Sequence, residues 1–430
     1  MSSPRRDGAA VLAVALAARL AVVAWAGTRF PPAHDGVRYD TLAARLAAGL
    51  GYTWAWPDSA VTSVAHYPVG YPAALALAYR LFGHSVVVAG VENACVGALA
   101  ALAAYGIALV VADRRAALWA GLAVALHPGL VLYTPGIMTE GLTATLVTGA
   151  AWVAIRGEGE GQTARASLLG GLVGLAGLVR PQTLLLAPLF GLLAAGKRGA
   201  AIALAVAALV CAPWVARNCG AVGRCTLSTN TGWNLLIGAQ PGATGAWQPV
   251  AVSDACFGHE AVRDIEASPL RWAGLAPRKL AATFDYGGIG GYYLHLSNAE
   301  GFSWNAVLGA GALETVFERV VVGLCLLGVA RANGPRRRAR RWLSILGALF
   351  DVSPWGWVAV LALCAGQGAL GVEGLRRHPV HAASLFVVGS LVAVHAVFFG
   401  APRYALVGVP LLTSLAVVSV AEWRASSLVR

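Results

Sequence analysis

The chain has 430 residues, of which 58% are hydrophobic and 12% charged, and its formal net charge is +12. Because soluble domains carry roughly a quarter charged residues, this composition excludes an ordinary soluble protein. Much of the basic excess falls in short loops between apolar runs, a pattern that indicates membrane topology and argues against nucleic-acid binding.

Apolar runs of about 18–25 residues recur along the chain, as expected for helices that span a bilayer. The first run carries Arg19 and is followed by no clear cleavage site, so we do not interpret it as a signal peptide. We predict about eleven or twelve spans. They lie near residues 9–27, 86–111, 116–134, 141–155, 167–179, 182–196, 199–216, 319–331, 355–372, 382–400 and 404–422, with 342–353 as a short twelfth candidate. The twelfth is favoured because it leaves the C-terminus and Arg376-Arg377 on the cytoplasmic side, and it is short enough to thin the bilayer or to re-enter it.

The predicted fold is an all-α polytopic membrane protein in three parts. Residues 1–216 form an N-terminal transmembrane module, residues 217–318 a small outer subdomain, and residues 319–430 the C-terminal transmembrane helices. The first outer loop, 28–85, begins with an amphipathic helical pattern that places Tyr39, Leu42, Ala43 and Leu46 on one face and is expected to lie in the membrane interface. A second interfacial segment follows at 68–83, and Trp54, Trp56, Tyr67 and Tyr71 fit an aromatic belt.

Three of the seven cysteines, Cys219, Cys225 and Cys256, fall in the outer segment, where disulfides can form. Three cysteines leave one unpaired, so the sequence does not decide which two join. No Cys/His spacing matches a zinc site, and no metal is predicted.

The chemistry-bearing residues concentrate on the predicted outer face. Asp35 follows the first span directly; an isolated Asp is usually a cap or a solvated acid, but this position favours function. Glu140 begins the fourth span, where capping and function are equally good interpretations. Arg180, Arg217 and Arg403 are each expected as interfacial anchors when considered alone, but together with Asp35 they suit phosphate oxygens.

Three polar residues fall inside predicted spans. Arg19 and Glu92 lie within apolar runs, where charge is costly and often functional. His395 is better explained as a neutral histidine that bonds to a neighbouring helix.

A series of short motifs resembles the bacterial relatives of protein O-mannosyltransferases and of lipid A aminoarabinose transferase, which are glycosyltransferases of the GT-C fold. Each motif is weak, but their order is that of the family and they cover most of the chain. The motifs are Asp35 with Tyr39 and Leu42-Ala43, Gly49-Leu50-Gly51-Tyr52, Tyr67-Pro68-Val69-Gly70-Tyr71-Pro72, Met138-Thr139-Glu140, Gly177-Leu178-Val179-Arg180-Pro181, Trp214-Val215-Ala216-Arg217-Asn218, residues 228–235 and Arg403-Tyr404 before Pro410.

The resemblance implies a GT-C-like bundle in a bacterial inner membrane, a polyprenyl-phosphate sugar donor and an inverting transfer on the periplasmic side. It assigns Asp35 as the catalytic base. The predicted substrate-binding residues are Arg38, Tyr39, His66, Glu140, Arg180, Arg217, Lys279, Arg403 and Tyr404. The family commonly has Asp-Glu where this chain has Asp35-Gly36, which removes a carboxylate and leaves a divalent metal without support.

The sequence leaves the details of the reaction open. The sugar is a hexose or a pentose, and the acceptor hydroxyl belongs to a protein, a lipid or a glycan. A transporter or flippase of lipid-linked sugars is the main alternative, and an inactive scaffold is another. The enzyme is favoured because no repeat is visible and the polar candidates crowd one face, whereas transporters often show repeats and midplane sites.

Overall fold

The computed structural model describes residues 3–156, 161–250 and 257–428. The N-terminal helices are α1 (Pro4–Ala26), α2 (Asp35–Ala47), α3 (Gly70–Phe82), α4 (Val86–Val111), α5 (Arg114–Ala125), α6 (Pro128–Leu132), α7 (Glu140–Ala154), α8 (Gln162–Val179) and α9 (Leu186–Val222). The middle segment contains α10 (Thr231–Ile237), α11 (Phe257–Ala267), α12 (Pro269–Gly274), α13 (Ala276–Phe284) and α14 (Ile289–Ser297). The C-terminal helices are α15 (Trp304–Arg331), α16 (Arg337–Asp351), α17 (Gly356–Gly368), α18 (Gly371–Arg377), α19 (Pro379–Val397) and α20 (Val409–Leu428).

Three short elements complete the described structure. Two are 3-10 helices, Pro181–Leu185 and Pro402–Val407. The third is an antiparallel hairpin of Thr53–Ala55 with Val61–Ser63 in the first outer loop. The all-α, polytopic class predicted from the sequence is confirmed.

Among the described residues, five helical segments are long and apolar enough to cross a membrane. They are Pro4–Ala26, Val86–Val111, Gln162–Val179, Pro181–Val222 and Pro379–Val397, and a bent pair, Gly356–Gly368 with Gly371–Arg377, makes a sixth if it is one span. Helices also occupy the other predicted spans, but these are shorter or carry more charge. The predicted span 116–134, for example, is interrupted between α5 and α6, just before Pro128.

Helix α9 folds back on itself where the sequence predicts two spans. Ala195 and Gly196 leave the helical conformation, and Gly196 has φ +62°, which glycine adopts without strain. A Cβ atom on Gly191 would lie 2.5 Å from the carbonyl oxygen of Gly199, so the two halves of the hairpin are in backbone contact. Small residues permit this close approach inside a membrane bundle.

Helix α2 packs its apolar face against the protein. Its apolar face is formed by the expected residues, since Tyr39, Leu42 and Ala43 are buried. Tyr39 and Ala43 belong to one cluster with Tyr71 and Leu75 of α3. Tyr71 is therefore a core residue and not part of an interfacial belt, because neighbouring helices cover it completely.

Arg19 is structural. The residue lies within α1 and is buried. Its guanidinium donates to the carbonyl oxygens of Ala125 at 2.9 Å and Ala15 at 3.2 Å. It therefore satisfies carbonyl groups at the end of α5, which have no partner within that helix.

A disulfide joins Cys219, in the last turn of α9, to Cys225 just beyond that helix. Cys256, the third candidate, lies outside the described residues. Beside the disulfide, Asn218 donates to the carbonyl of Thr226 at 2.8 Å and Trp214 donates to that of Leu227 at 2.9 Å. These contacts hold the start of the middle segment against the bundle.

Candidate active site

One large cavity lies where α2, the end of α8, the end of α19 and the 3-10 helix Pro402–Val407 meet the middle segment. It encloses about 1220 Å³, including space open to solvent. Its charged and aromatic walls include Asp35, Tyr39, His66, Tyr67, Arg180, Trp233, Trp247, His395, Arg403 and Tyr404. The cavity brings together six of the ten predicted site residues: Asp35, Tyr39, His66, Arg180, Arg403 and Tyr404. The other four, Arg38, Glu140, Arg217 and Lys279, do not line it.

Asp35 is the first residue of α2 and is fixed by two donors. The Tyr67 hydroxyl donates to Oδ1 at 2.8 Å, and Arg403 Nη1 donates to Oδ2 at 2.8 Å. The Asp35 side chain is still 30% exposed, so a substrate in the cavity can reach it. The contacts orient the carboxylate without closing it off.

The charge of Asp35 follows from these neighbours. Burial raises the pKa of its carboxyl group, but the charge and hydrogen bond of Arg403, the hydrogen bond of Tyr67 and the charge of Arg180 act in the opposite direction and outweigh it. The net pKa is below its ordinary value, so Asp35 is ionised at neutral pH. An ionised carboxylate is the form that accepts a proton.

Glu140 binds both arginines of the cavity, Arg180 and Arg403. Its carboxylate is fully buried, pairs with Arg180 and lies 3.5 Å from Nε of Arg403. The Tyr133 hydroxyl also donates to it, at 3.1 Å. Glu140 does not line the cavity, so its contacts place it as a residue that positions arginines and not as one that touches a substrate.

Arg180 is further fixed by Thr139. Its Nε donates to the Thr139 hydroxyl at 3.0 Å, and the Thr139 side chain forms no capping hydrogen bond at the start of α7. The guanidinium carbon lies 4.9 Å from the ring centre of Tyr404. Both arginines are thus anchored to one buried acid, Glu140, and both line the cavity.

His395 and Tyr404 form an aromatic wall of the cavity. Their rings stack with centres 4.1 Å apart. His395 Nδ1 lies 2.9 Å from the carbonyl oxygen of Phe399, at the end of its own helix, so the expected bond to a neighbouring helix is wrong. Its Nε2 atom is buried and has no hydrogen-bond partner among the described residues.

His66 lies on the cavity wall beside Tyr67, with ring centres 4.8 Å apart. Burial lowers the pKa of His66, and the nearby charge of Arg38 lowers it further, whereas Asp35 raises it. The net decrease keeps the ring neutral at pH 7. Burial and Asp35 both raise the pKa of Tyr67, so its phenol stays protonated and donates to the carboxylate.

Besides Glu140, three residues predicted to bind substrate lie outside the cavity wall. Arg38 is exposed and its guanidinium stacks 4.3 Å above Trp54. Arg217 donates to the carbonyl oxygens of Val64 and Tyr52, each at 2.7 Å. Both arginines therefore brace the first outer loop.

Lys279 is the third of these residues. It is fully buried and donates to the carbonyl oxygen of Val397 at 2.8 Å. Burial, with a smaller contribution from Arg271, lowers the pKa of Lys279 to about 8. It joins α13 to the end of α19 and does not line the cavity.

Several cavity residues received no role in the sequence interpretation. Tyr67 was expected only in an aromatic belt, and Gln182 was not considered. Four more lining residues belong to segment 228–235, which resembles a family motif but carried no predicted site residue: Ser228, Asn230, Trp233 and Asn234. The concentration of amides and hydroxyls in that stretch was the available signal.

Gly36 has a steric explanation. A Cβ atom at this position would lie 2.2 Å from the Tyr293 hydroxyl and 3.0 Å from the carbonyl oxygen of Ile137. The same hydroxyl donates to the carbonyl oxygen of Ala33 at 2.8 Å and accepts from its amide at 3.2 Å. Tyr293 thus fills the space that a side chain at position 36 needs.

Comparison with known proteins gives one family match. Residues 66–216 match the model of the family described as dolichyl-phosphate-mannose-protein mannosyltransferase. The resemblance predicted from the motifs is thereby confirmed for this segment, which carries His66, Tyr67, Glu140 and Arg180. The chain is thus a polytopic helical membrane protein that resembles glycosyltransferases of this group. No curated protein matches it by sequence.

Two solved structures illustrate the likeness in fold. The archaeal oligosaccharyltransferase AglB from Archaeoglobus fulgidus, solved with an inhibitory peptide and a dolichol-phosphate, aligns over 98% of this chain with 14% identity and a TM-score of 0.47. ArnT from Cupriavidus metallidurans, bound to undecaprenyl phosphate, aligns over 96% with 16% identity and a TM-score of 0.41. The alignments cover 52% of the AglB chain and 77% of the ArnT chain, so this chain spans about half the length of AglB.

Proposed function

We propose that the protein is an inverting glycosyltransferase that moves a sugar from a polyprenyl phosphate to an acceptor hydroxyl. The observation that carries the proposal is the pairing, in one cavity, of an oriented and ionised carboxylate, Asp35, with two anchored arginines, Arg180 and Arg403. The family match supports a polyprenyl-phosphate donor, because its description names a sugar linked to dolichyl phosphate.

The arginines suit the phosphate of the donor. Arg180 and Arg403 share the buried counter-charge of Glu140, and Arg403 also pairs with Asp35, so a donor phosphate that replaces Asp35 at Arg403 finds both guanidinium groups in place. Guanidinium groups bind phosphate oxygens through two parallel hydrogen bonds. In a cavity partly shielded from water, they stabilise the charge that the departing phosphate gains.

Asp35 acts on the acceptor hydroxyl as a general base. It takes the proton of the acceptor hydroxyl as that oxygen forms a bond to the anomeric carbon. The bond between the anomeric carbon and the phosphate oxygen breaks, and the polyprenyl phosphate leaves with the electron pair. Because attack and departure occur on opposite faces of the sugar, the configuration inverts.

Donor binding frees the base in this scheme. Arg403 bonds to Asp35 in the unliganded structure, and a donor phosphate competes for the same guanidinium. When Arg403 turns to the phosphate, Asp35 loses the partner that contributes most to its low pKa and becomes a stronger base. The acceptor is then deprotonated only when donor is present.

The proposed orientation places this cavity on the outer face of a bacterial inner membrane. The basic loops that contain Arg114 and Arg376-Arg377 lie at the opposite end of the bundle, which supports a cytoplasmic location for that end. The acceptor hydroxyl on a protein, lipid or glycan would then be reached from the periplasm.

The proposal is tested with purified protein in liposomes that contain polyprenyl phosphates carrying a labelled hexose or pentose. A cell-envelope extract, separated into protein, lipid and glycan fractions, supplies acceptors. Label in one fraction, with equimolar release of polyprenyl phosphate, is the expected result. Movement of labelled lipid across the bilayer without sugar transfer would instead establish the flippase alternative.

A further inference from the structure

A second cavity lies at the end of the bundle opposite Asp35, and we name it the basal cavity. It is bounded by the ends of α4 and α7, the junction of α18 with α19, and the last turns of α20. It encloses about 820 Å³, including open space. Asp7, near the start of α1, pairs with Arg114 just beyond α4, so this end is separated from Asp35 by the length of α1.

The basal cavity has an apolar wall and a polar end. Val110, Val111, Leu415 and Val418 form part of the wall, and they come from helices α4 and α20. Val110 is 43% exposed, so hydrocarbon from the surrounding membrane has access to this wall. An apolar wall open to the membrane suits an acyl chain.

The polar end contains groups that bind a phosphate. Arg376 is exposed, and no described residue forms an ion pair or hydrogen bond with it. Helix α19, which has 19 residues, begins at Pro379, which has no N–H, and the amide of Ala382 donates to the carbonyl oxygen of His378 at 3.1 Å. The amides of Val380 and His381 are the first-turn donors that have no partner within the helix. Such amides and a guanidinium are together a ready site for a phosphate oxygen.

His381 supplies an independent indication that a ligand belongs here. Its side chain is 3% exposed and lines the basal cavity, yet its Nδ1 atom has no hydrogen-bond partner among the described residues. Buried polar atoms are nearly always paired, so an unpaired one at a cavity wall marks a missing partner. The nearest aromatic ring is that of His378, 5.8 Å away, which itself lies against the carbonyl of Asn333.

The charges at this end indicate a zwitterion and not a simple anion. Arg377 already pairs with Glu373. Arg376 and Glu422, one charge of each sign, also line the basal cavity, and the ring of His378 lies close enough to Glu422 to interact with its charge. A phosphate beside Arg376 and an ammonium beside Glu422 would satisfy both groups.

We infer that the basal cavity binds a zwitterionic phospholipid with a primary ammonium, as in phosphatidylethanolamine. The phosphodiester lies at Arg376, His381 and the start of α19, the ammonium donates to Glu422, and one acyl chain follows the wall of Val110 and Val418. Basic pockets between membrane helices bind phospholipid headgroups in this manner. The site holds a lipid between α4, α19 and α20 and is independent of sugar transfer.

Native mass spectrometry of the detergent-solubilised protein tests the inference. Phosphatidylethanolamine, phosphatidylcholine and phosphatidylglycerol with identical acyl chains are titrated separately. We expect phosphatidylethanolamine to bind most tightly, because a quaternary ammonium cannot donate to Glu422 and glycerol carries no positive charge. Equal binding of all three lipids would overturn the inference.

Variants locate the site. Arg376→Gln should weaken binding of phosphatidylethanolamine and phosphatidylglycerol alike by about fivefold. Glu422→Gln should weaken phosphatidylethanolamine alone and so remove its advantage over phosphatidylglycerol. Val110→Trp, which changes no charge, should weaken all three lipids by obstructing the wall.

Matched controls are Arg337→Gln, an exposed arginine on α16, and Glu266→Gln, an exposed acid on α11. Neither residue lines the basal cavity, and both variants should leave lipid binding unchanged. If a control variant weakened lipid binding as much as its matched variant, the effect would come from the net charge of the protein. That result would contradict a lipid site in the basal cavity. Displacement of bound lipid by inorganic phosphate alone would show a free-phosphate site and overturn the lipid assignment.

Discussion

Arg403 donates to the carboxylate of Asp35 at 2.8 Å, although 368 positions separate the two residues in the chain. The contact joins the first turn of α2 to the 3-10 helix that precedes α20. The candidate base, Asp35, and a candidate phosphate-binding residue, Arg403, are therefore hydrogen-bonded to each other.

Arg403→Gln should weaken donor binding more than it slows transfer at saturating donor. Loss of charge-assisted hydrogen bonds to a phosphate costs about 1.5–3 kcal/mol, which is roughly tenfold to a hundredfold in affinity. Arg38→Gln is the control, because Arg38 stacks on Trp54 outside the cavity wall. Titration of a labelled donor into both variants measures the difference, and equal affinities would argue against a phosphate at Arg403.

Tyr67→Phe should change the pH dependence of transfer. The Tyr67 hydroxyl donates to Asp35 and helps to lower the pKa of that carboxyl, so its removal raises the pKa. A base with a higher pKa begins to be protonated at a higher pH. The acid limb of the profile of kcat/KM against pH, which reports on the free enzyme, should therefore move to higher pH.

The control for Tyr67→Phe is Tyr52→Phe. Tyr52 donates to the carbonyls of Tyr67 and Pro68 and not to Asp35. It should leave the acid limb in place even if it lowers activity. An unmoved acid limb in Tyr67→Phe would mean that Asp35 does not set it.

Gly36→Ala should destabilise the protein, since its Cβ atom would lie 2.2 Å from the Tyr293 hydroxyl. Overpacking of this kind typically costs about 1–3 kcal/mol. Tyr293→Phe removes the clashing oxygen and should restore much of the loss in the double variant. Thermal unfolding midpoints of the four proteins test this coupling, and additive losses would contradict the steric account.

The positions of the long apolar helices were accessible from sequence because hydropathy acts locally. α1, α4 and α19 agree with predicted spans, and the amphipathic face of α2 comprises the residues expected. What covers that face depends on packing: α3, which the sequence places at the interface, covers it instead. Likewise, only the folded chain shows that Cys219 pairs with Cys225.

Residues of the candidate site were accessible from sequence only in part. Asp35, Arg180 and Arg403 were identified by type and predicted side of the membrane, and the structure brings them together. Arg217 and Lys279 are also cationic and lie on the same predicted side, but they bond to backbone carbonyls. A backbone carbonyl that is distant in the chain cannot be recognised from the sequence. Cations that bond to such carbonyls therefore could not be distinguished from cations that line the cavity.

The most direct test of the account is the Asp35→Asn variant, measured for both donor binding and transfer. Asparagine keeps the shape of the side chain but cannot accept the proton of the acceptor. General-base catalysis is typically worth 10²–10⁴-fold, so transfer at saturating donor should fall by about that factor while donor still binds. A folded Asp35→Asn protein with transfer at the wild-type rate would contradict the assignment of Asp35 as the base.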